Sequence, residues 1–179
     1  MKWKVLSCEY ITRHPYFTAR KDRCEAPGGK IIEAYYVVEL PTTVCALALT
    51  GEGDVIMVRQ YRHPVGEILL ELPGGFIDRD ETPEEAIARE LREETGYTFT
   101  SFERLGKIAA NPGVLNNDTY LFLARGGSRT AGQQLDDNEE IDVEKLPLQE
   151  VKQLLLENRI RQSLHANCIF YALQRLGEL

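Results

Sequence analysis

Residues 75–97 read GFIDRDETPEEAIARELREETGY, and this stretch carries the most specific pattern in the chain. Thr82 offers a side-chain oxygen at a helix N-cap, a proline follows at the first helical position, and Glu85 stands three residues after the cap. Gly96 is the residue type that best tolerates the left-handed conformation beyond a last helical turn. The pattern therefore predicts a helix over residues 83–95.

Three glutamates of this predicted helix share one face. At about 100° per residue, Glu90, Glu93 and Glu94 fall within an arc of roughly 100°. Like charges three or four residues apart cost a few tenths of a kcal/mol per pair, so the arrangement needs a positive partner. Clustered oxygen ligands suit hard divalent cations, Mg²⁺ above all, with Mn²⁺ as the alternative. The pattern therefore predicts a metal site formed by these three side chains.

Two neighbours complete the predicted metal site. Arg89 can hold a carboxylate through a bidentate contact, either that of Glu81 or that of a neighbouring glutamate. Residues 73–75, Pro-Gly-Gly, predict a tight turn in which the backbone approaches a cation closely, so the Gly74 carbonyl is a candidate ligand. The glutamate run alone would favour a solvated acidic helix, but the glycines at fixed distances on both sides favour the site.

This stretch resembles the Nudix box, the metal- and pyrophosphate-binding signature of the Nudix hydrolase family. The resemblance implies an α/β fold, a Nudix α/β/α sandwich with a mixed β-sheet. It also implies hydrolysis of a nucleoside diphosphate linked to another moiety. The last box position is usually aliphatic in the family and here is Tyr97, which is expected to alter packing under the helix rather than the chemistry.

The surroundings resemble one branch of the family, the ADP-ribose and nucleoside-diphosphate-sugar pyrophosphatases, over about residues 40–175. Residues 58–62, Val-Arg-Gln-Tyr-Arg, followed by residues 71–75, Glu-Leu-Pro-Gly-Gly, resemble the arginine strand and the approach to the box. A proline stands sixteen residues after the box glycine, as members of the branch tend to have. The substrate-binding residues that this resemblance implies are Arg62, Arg59, Glu71 and Pro112.

The acidic loop Asp136-Asp-Asn-Glu-Glu-Ile141 lies where the branch places its general base. Asp137 aligns with the favoured catalytic glutamate, and Glu139 follows two residues later, so either is a candidate base. Glu93 is a further candidate, since it can face a bound water rather than a metal. Arg89 is assigned to the catalytic set through its orientation of the carboxylates.

Composition narrows the function classes. A chain of 179 residues suits one well-cored catalytic unit. A formal net charge of -7 and a pI near 5.1 disfavour nucleic acid and anionic membranes as partners. The four cysteines are scattered without metal-ligand spacing, and we find neither a signal-peptide pattern nor an apolar run of about 20 residues. These features predict a cytoplasmic protein with free thiols that acts on a small molecule.

The chain divides by pattern into a β segment over residues 1–40 and a Nudix domain over residues 41–179. The first segment predicts three short antiparallel strands separated by turns at residues 14–15 and 27–29. This N-terminal β appendage resembles a dimerisation segment of the branch, and it predicts a homodimer because so few strands cannot bury a face alone. Residues 126–138 lack apolar periodicity and predict a mobile loop. Further strands are predicted over 44–50, 55–61, 68–72, 98–108, 119–124 and 141–146, and further helices over 148–157 and 163–176.

The function that these expectations favour is Mg²⁺-dependent hydrolysis of the pyrophosphate bond of ADP-ribose or a related nucleoside diphosphate sugar. The products would be a nucleoside monophosphate and a sugar phosphate. One alternative is a nucleoside-triphosphate pyrophosphohydrolase, which would use the same box. Another, of a different class, is a Nudix-like module that senses ADP-ribose without cleaving it. Such a sensor is expected to have lost box carboxylates, and here all are present.

Overall fold

A computed structural model describes residues 2–14 and 17–179. Pro15 and Tyr16, at the first predicted turn, lie outside the described residues. Within the described ranges the chain forms ten strands and three helices. The strands are β1 Lys4–His14, β2 Phe17–Glu25, β3 Ile31–Glu39, β4 Thr43–Thr50, β5 Asp54–Arg62, β6 Glu67–Glu71, β7 Tyr97–Thr98, β8 Ser101–Ala109, β9 Asp118–Arg129 and β10 Ile141–Pro147; the helices are α1 Pro83–Thr95, α2 Leu148–Leu156 and α3 Ser163–Leu176.

The chain separates into two compact units. The first comprises residues 1–41 and 109–118, and the second comprises residues 42–108 and 119–179. In the first unit, β1, β2 and β3 form a three-stranded antiparallel sheet in sequence order. This sheet confirms the predicted N-terminal β appendage.

The second unit is built on a mixed sheet with the strand order β10-β5-β4-β9-β7. β4 pairs in parallel with β9, whereas β5 pairs antiparallel with β4, β6 and β10. α1 covers one face through Ile87 and Leu91, which pack with Ile56 of β5. α2 and α3 cover the other face, where Met57 of β5 lies in the core with Ile169. Helices on both faces of a mixed sheet confirm the predicted α/β/α sandwich.

Two predictions made from the sequence differ from the structure. The single strand predicted over residues 98–108 is divided into β7 and β8. Residues 126–129, predicted as part of a loop, continue β9, and Tyr97 of β7 pairs with Arg129 there. Two consecutive glycines predict the end of a strand, but at Gly126 the positive φ of 70° lets the strand continue. A Cβ at that glycine would stand 2.2 Å from Thr100 Oγ1, so the position also serves close packing.

Within the described residues, no helix is both long enough and apolar enough to cross a membrane.

Candidate active site

Helix α1 carries the acidic face, and local signals fix both of its ends. The Thr82 hydroxyl accepts a hydrogen bond from the Glu85 N–H, and the Glu85 carboxylate accepts one from the Thr82 N–H at 2.8 Å. Gly96 has the left-handed φ of 75°, and its N–H donates to the Arg92 carbonyl. The apolar side of the helix is buried, so the acidic side has a fixed orientation. Its buried apolar residues are Ala86, Ile87 and Leu91.

Arg89 is shared among three glutamates. Its Nε and Nη2 donate to the two oxygens of Glu81 at 2.7 and 3.0 Å, a bidentate contact. Its Nη1 donates to Glu90 Oε1 and to Glu93 Oε2, both at 3.0 Å. Nη2 also donates to the Phe76 carbonyl, which ties the guanidinium to the segment before the helix. This contact set holds the pKa of Glu81 below its usual value, chiefly through the hydrogen bond from Arg89.

Glu94 is the buried member of the acidic face. Burial raises the pKa of its carboxyl to about 8, and the charges of Glu90 and Glu139 add to the shift, although a hydrogen bond from the Gly74 N–H at 2.8 Å opposes it. Burial likewise raises the pKa of Glu90 to about 7. Two carboxyls of one face are thus held where ionisation is costly, and a bound cation would relieve that cost.

The glycines before α1 allow the backbone to approach the acidic face closely. Gly74 has a φ of 151°, and a Cβ there would stand 2.2 Å from the Val44 carbonyl oxygen. A Cβ on Gly75 would stand 2.5 Å from Glu90 Oε1. The Gly75 carbonyl accepts from the Val44 N–H at 2.9 Å, which fixes the turn against β4. The structure therefore brings Gly74 beside Glu94 and Gly75 beside Glu90.

The loop between β9 and β10 carries a further glutamate whose charge acts on this site. The Glu139 charge contributes to the raised pKa of both Glu90 and Glu94. Its carboxylate accepts a hydrogen bond from the Asp136 N–H at 3.1 Å, which holds the side chain against its own loop. Asp137, the other candidate base, lies at the exposed turn of the loop. Of the two candidates, Glu139 is the less exposed, and its charge acts on the buried glutamates.

Arg62 is held by a buried carboxylate. Its Nη2 donates to Glu71 Oε2 at 2.6 Å, and its Nε lies 3.2 Å from both oxygens of Glu71. Glu71 is almost fully buried, whereas the Arg62 side chain is 42% exposed. Arg62 lies an even number of residues after Ile56 on β5, so strand alternation puts its side chain on the α1 side of the sheet, where its charge opposes the upward shift in the pKa of Glu94. Arg62 is thus a fixed cation with an accessible side.

Arg59 lies on the opposite face of the sheet. It follows Met57 by two residues on β5, and Met57 packs in the core beneath α2 and α3. Its Nε donates to Glu144 Oε2 at 2.6 Å. The structure therefore does not bring Arg59 to the acidic face, and an ordinary ion pair accounts for it. Pro112 lies in a turn of the first unit, residues 111–115.

Comparison with protein-family models gives two matches that together span most of the chain. The Nudix domain matches residues 39–166. The chain belongs to the Nudix hydrolase family. The nucleoside diphosphate sugar hydrolase N-terminal domain matches residues 3–38. Residues 75–97 are thus the Nudix box of a family member, with all of its glutamates present.

Similar proteins extend over nearly the whole length. The chain is 33% identical over 161 residues to the methanol dehydrogenase activator of Bacillus methanolicus, covering 89% of this chain and 86% of that protein. It is 32% identical over 169 residues to the ADP-ribose pyrophosphatase of Bacillus subtilis, covering 94% and 91%. A crystal structure of an ADP compounds hydrolase superimposes with a TM-score of 0.86 at 22% identity, covering 100% of this chain and 98% of that one. This last likeness shows the shared fold.

The Nudix box residues fit a divalent cation by their chemistry. The donors are all oxygens, negative charge exceeds positive charge, and the buried Glu94 has a backbone N–H as its hydrogen-bond partner. Within residues 2–14 and 17–179, no three acidic, histidine or cysteine side chains converge on one point, since Glu90 and Glu93 are turned onto Arg89. The residues that would hold an ion are Glu90, Glu93 and Glu94, together with the Gly74 carbonyl.

Sequence reasoning missed several residues that shape the site. The buried His165 of α3 accepts a hydrogen bond from the Leu72 N–H at 3.2 Å and so fixes the segment entering the Nudix box. Burial lowers its pKa to about 3, so the ring is neutral and can accept. Gln133 and Gln134 contact the last turn of α1. Contacts between residues so far apart in sequence leave no periodic signal.

Proposed function

We propose that this Nudix hydrolase cleaves the pyrophosphate bond of ADP-ribose or a related nucleoside diphosphate sugar, in a Mg²⁺-dependent reaction that gives a nucleoside monophosphate and a sugar phosphate. The observation that carries the proposal is the match of residues 3–38 to a nucleoside diphosphate sugar hydrolase N-terminal domain, directly before the Nudix domain. Similarity to an ADP-ribose pyrophosphatase over 94% of the chain supports the same substrate class.

The acidic face suits a diphosphate because the negative charge of the diphosphate repels nucleophiles. Glu90, Glu93 and Glu94, with the Gly74 carbonyl, are the proposed holders of Mg²⁺, with Mn²⁺ as the alternative ion. When bound, the ion supplies positive charge against the diphosphate. Arg89 orients Glu90 and Glu93 through its shared guanidinium, as its contacts of 3.0 Å indicate.

The proposed general base and the proposed phosphate-binding residue come from two further parts of the chain. Glu139 is the proposed general base: it takes a proton from the attacking water while its loop limits access of bulk solvent. Glu93 and Asp137 are the alternative bases, and Asp137 is the weaker candidate because it is exposed. Arg62 is proposed to bind phosphate oxygens with its accessible side while Glu71 holds it in place. Pro112 is proposed to shape a loop over the second sugar.

The substrate proposal is tested by a panel of ADP-ribose, ADP-glucose, GDP-mannose, UDP-glucose, NADH and nucleoside triphosphates, each with Mg²⁺ and with EDTA. We expect Mg²⁺-dependent release of a nucleoside monophosphate and a sugar phosphate from at least one nucleotide sugar, detected by ion-exchange chromatography. Cleavage of triphosphates alone, with release of pyrophosphate, would establish the alternative hydrolase. Binding of ADP-ribose without turnover would establish the sensor.

A homodimer is proposed from the three-stranded sheet of the first unit. This sheet leaves apolar side chains exposed, including Val5, Ile11 and Tyr36 at 56%, 59% and 58%. Exposed apolar side chains of this kind favour an interface, and the sheet of a second copy would cover them. Residues 1–40 would then be the dimerisation segment and residues 41–179 the catalytic domain. Light scattering after size-exclusion chromatography that gives a monomer at micromolar concentration would refute this part of the proposal.

A reducing compartment is proposed from the cysteines. Within the described residues, the four cysteines are free thiols, and three of them, Cys24, Cys45 and Cys168, are buried. Free thiols are the usual state of cysteine in the cytoplasm. Fractionation that recovers the protein from an oxidising compartment would contradict this assignment.

A further inference from the structure

The loop before β10 completes the end of the Nudix helix. The last carbonyls of an α-helix lack partners within the helix and must find them elsewhere. Here the Glu93 carbonyl accepts from the Gln134 N–H at 2.8 Å, and the Glu94 carbonyl accepts from the Gln133 side chain at 2.7 Å. Two neighbouring loop residues thus satisfy two neighbouring helix carbonyls, so the loop and the metal-binding helix are joined at this point.

Gln133 also joins the helix to the sheet. The same Nε2 that donates to the Glu94 carbonyl donates to the Ile141 carbonyl at 2.8 Å. Both partners are backbone carbonyls, which only accept, so the two hydrogens of the amide nitrogen must face them. A carboxylate in this position would repel both carbonyls, and an asparagine is one methylene shorter. The bridge therefore requires a donor side chain at least as long as glutamine.

The bridge closes a short loop that contains Glu139. Ile141 is the first residue of β10 and pairs with Gln60 of β5, so the far end of the loop is anchored in the sheet. Between the two ends, the Glu139 N–H donates to the Asp136 carbonyl at 3.0 Å and forms a compact turn. With both ends of residues 133–141 fixed, the turn has few ways to move, and the position of Glu139 relative to α1 is set.

We propose that Gln133 is a positioning residue: by bridging the end of the Nudix helix to the start of β10, it holds the Glu139 loop in the geometry needed for proton transfer. The inference rests on the proposed function and on Glu139 as its base. Gln133 is exposed, and hydrogen bonds of this kind contribute little to net stability. Its removal should therefore change geometry and rate much more than overall stability.

The test compares Gln133→Glu with Gln134→Glu. Both variants add one negative charge to adjacent loop positions, but within the part of the chain that the structure describes, Gln134 is hydrogen-bonded through its backbone and not through its side chain. For Gln133→Glu we expect kcat to fall about 10–100-fold, because small displacements of a reacting group cost rates of this order. KM and the Mg²⁺ concentration for half-maximal rate should stay within about twofold. Gln134→Glu should retain the wild-type kcat.

A double-mutant cycle with Glu139→Gln identifies the residue through which Gln133 acts. If the bridge positions Glu139, Gln133→Glu should reduce kcat less than about twofold once Glu139 has been replaced. An equal loss in both backgrounds would overturn the proposal, since Gln133 would then act on the metal-binding helix instead. A wild-type kcat in Gln133→Glu would overturn it as well.

Hydrogen exchange of the loop amides provides a readout that needs no substrate. In Gln133→Glu the amides of Gln134 and Glu139 should exchange faster than in the wild type and in Gln134→Glu, and unchanged exchange would refute the bridge. If the wild-type protein cleaves no nucleotide sugar, the proposed function fails, while exchange still decides whether the bridge exists. If the wild type is active and Gln133→Glu has the wild-type kcat and wild-type exchange, only the further inference fails.

Discussion

The two faces of the main sheet both carry glutamate–arginine contacts, but of opposite kinds. On the α1 face, Arg89 is shared among several carboxylates, and Glu94 is buried with a pKa raised to about 8. On the face covered by α2 and α3, Arg59 pairs with Glu144, and their side chains are 46% and 35% exposed. Balanced, solvated pairs of the second kind contribute little to stability. An excess of buried negative charge therefore distinguishes the site from ordinary surface pairing.

The largest expected effect separates the two faces directly. Glu94→Gln keeps the size of the side chain and an oxygen for the Gly74 N–H but removes the charge that would bind the cation. We expect kcat to fall by at least about 10³-fold, since a bound cation lowers the activation free energy by several kcal/mol. Without metal, the melting temperature should stay the same or rise, because the neutral amide is less costly to bury.

The matched control lies on the opposite face. Glu144→Gln, which removes a charge from the exposed pair, should leave kcat within about twofold of the wild type. Full activity in Glu94→Gln, measured with the substrate that the panel identifies, would show that the acidic face is not the metal site.

The second prediction compares alanine substitutions at the two glycines of the turn. Gly74→Ala places a Cβ 2.2 Å from a backbone oxygen in a left-handed conformation, so neither partner can move cheaply. We expect a loss of about 2–3 kcal/mol in the free energy of unfolding, measured by urea denaturation. Gly75→Ala instead meets the end of the flexible Glu90 side chain at 2.5 Å. This variant should remain folded and lose about 10–100-fold in Mg²⁺ affinity. Equal stability losses in both would contradict the assignment.

The third prediction compares the two arginines of β5. Arg62→Ala leaves the buried Glu71 without its bidentate partner, and we expect a loss of about 2 kcal/mol in the free energy of unfolding together with an increase in KM. Arg59→Ala removes half of an exposed pair and should cost less than about 1 kcal/mol, with KM unchanged. A large KM increase for Arg59→Ala would restore Arg59 as a substrate-binding residue.

The smallest expected effect is the pH dependence of metal stabilisation. The pKa of Glu94 is raised to about 8, so the folded protein binds more protons than the unfolded chain between the usual glutamate pKa and that value. This group therefore lowers stability as pH rises through that range. Mg²⁺ should relieve the cost, and its increase in melting temperature should be about 2–4 °C larger at pH 8.5 than at pH 6. Glu94→Gln should reduce that difference, with Glu90, whose pKa is raised to about 7, accounting for the remainder. An unchanged difference would show that Glu94 is not the group responsible.

Much of the site could be predicted from local sequence because its signals lie within one helix. The N-cap at Thr82, the C-cap at Gly96 and the helical period fix where α1 begins and ends and which side its glutamates share. The bounds of α1 and α3 agree with those predicted. The extension of β9 through Gly126 was missed because glycine indicates a break unless packing requires its freedom.

The sequence by itself determined the family, the acidic helix and the candidate carboxylates, since these depend on residues a few positions apart. Only the tertiary structure decided that Arg62 and Arg59 lie on opposite faces, that the charge of Glu139 acts on the buried glutamates, and that Gln133 bridges α1 to β10. Those outcomes depend on burial and on contacts between residues distant in sequence. Such contacts form because the sheet and its helices fold together, and no local pattern encodes them.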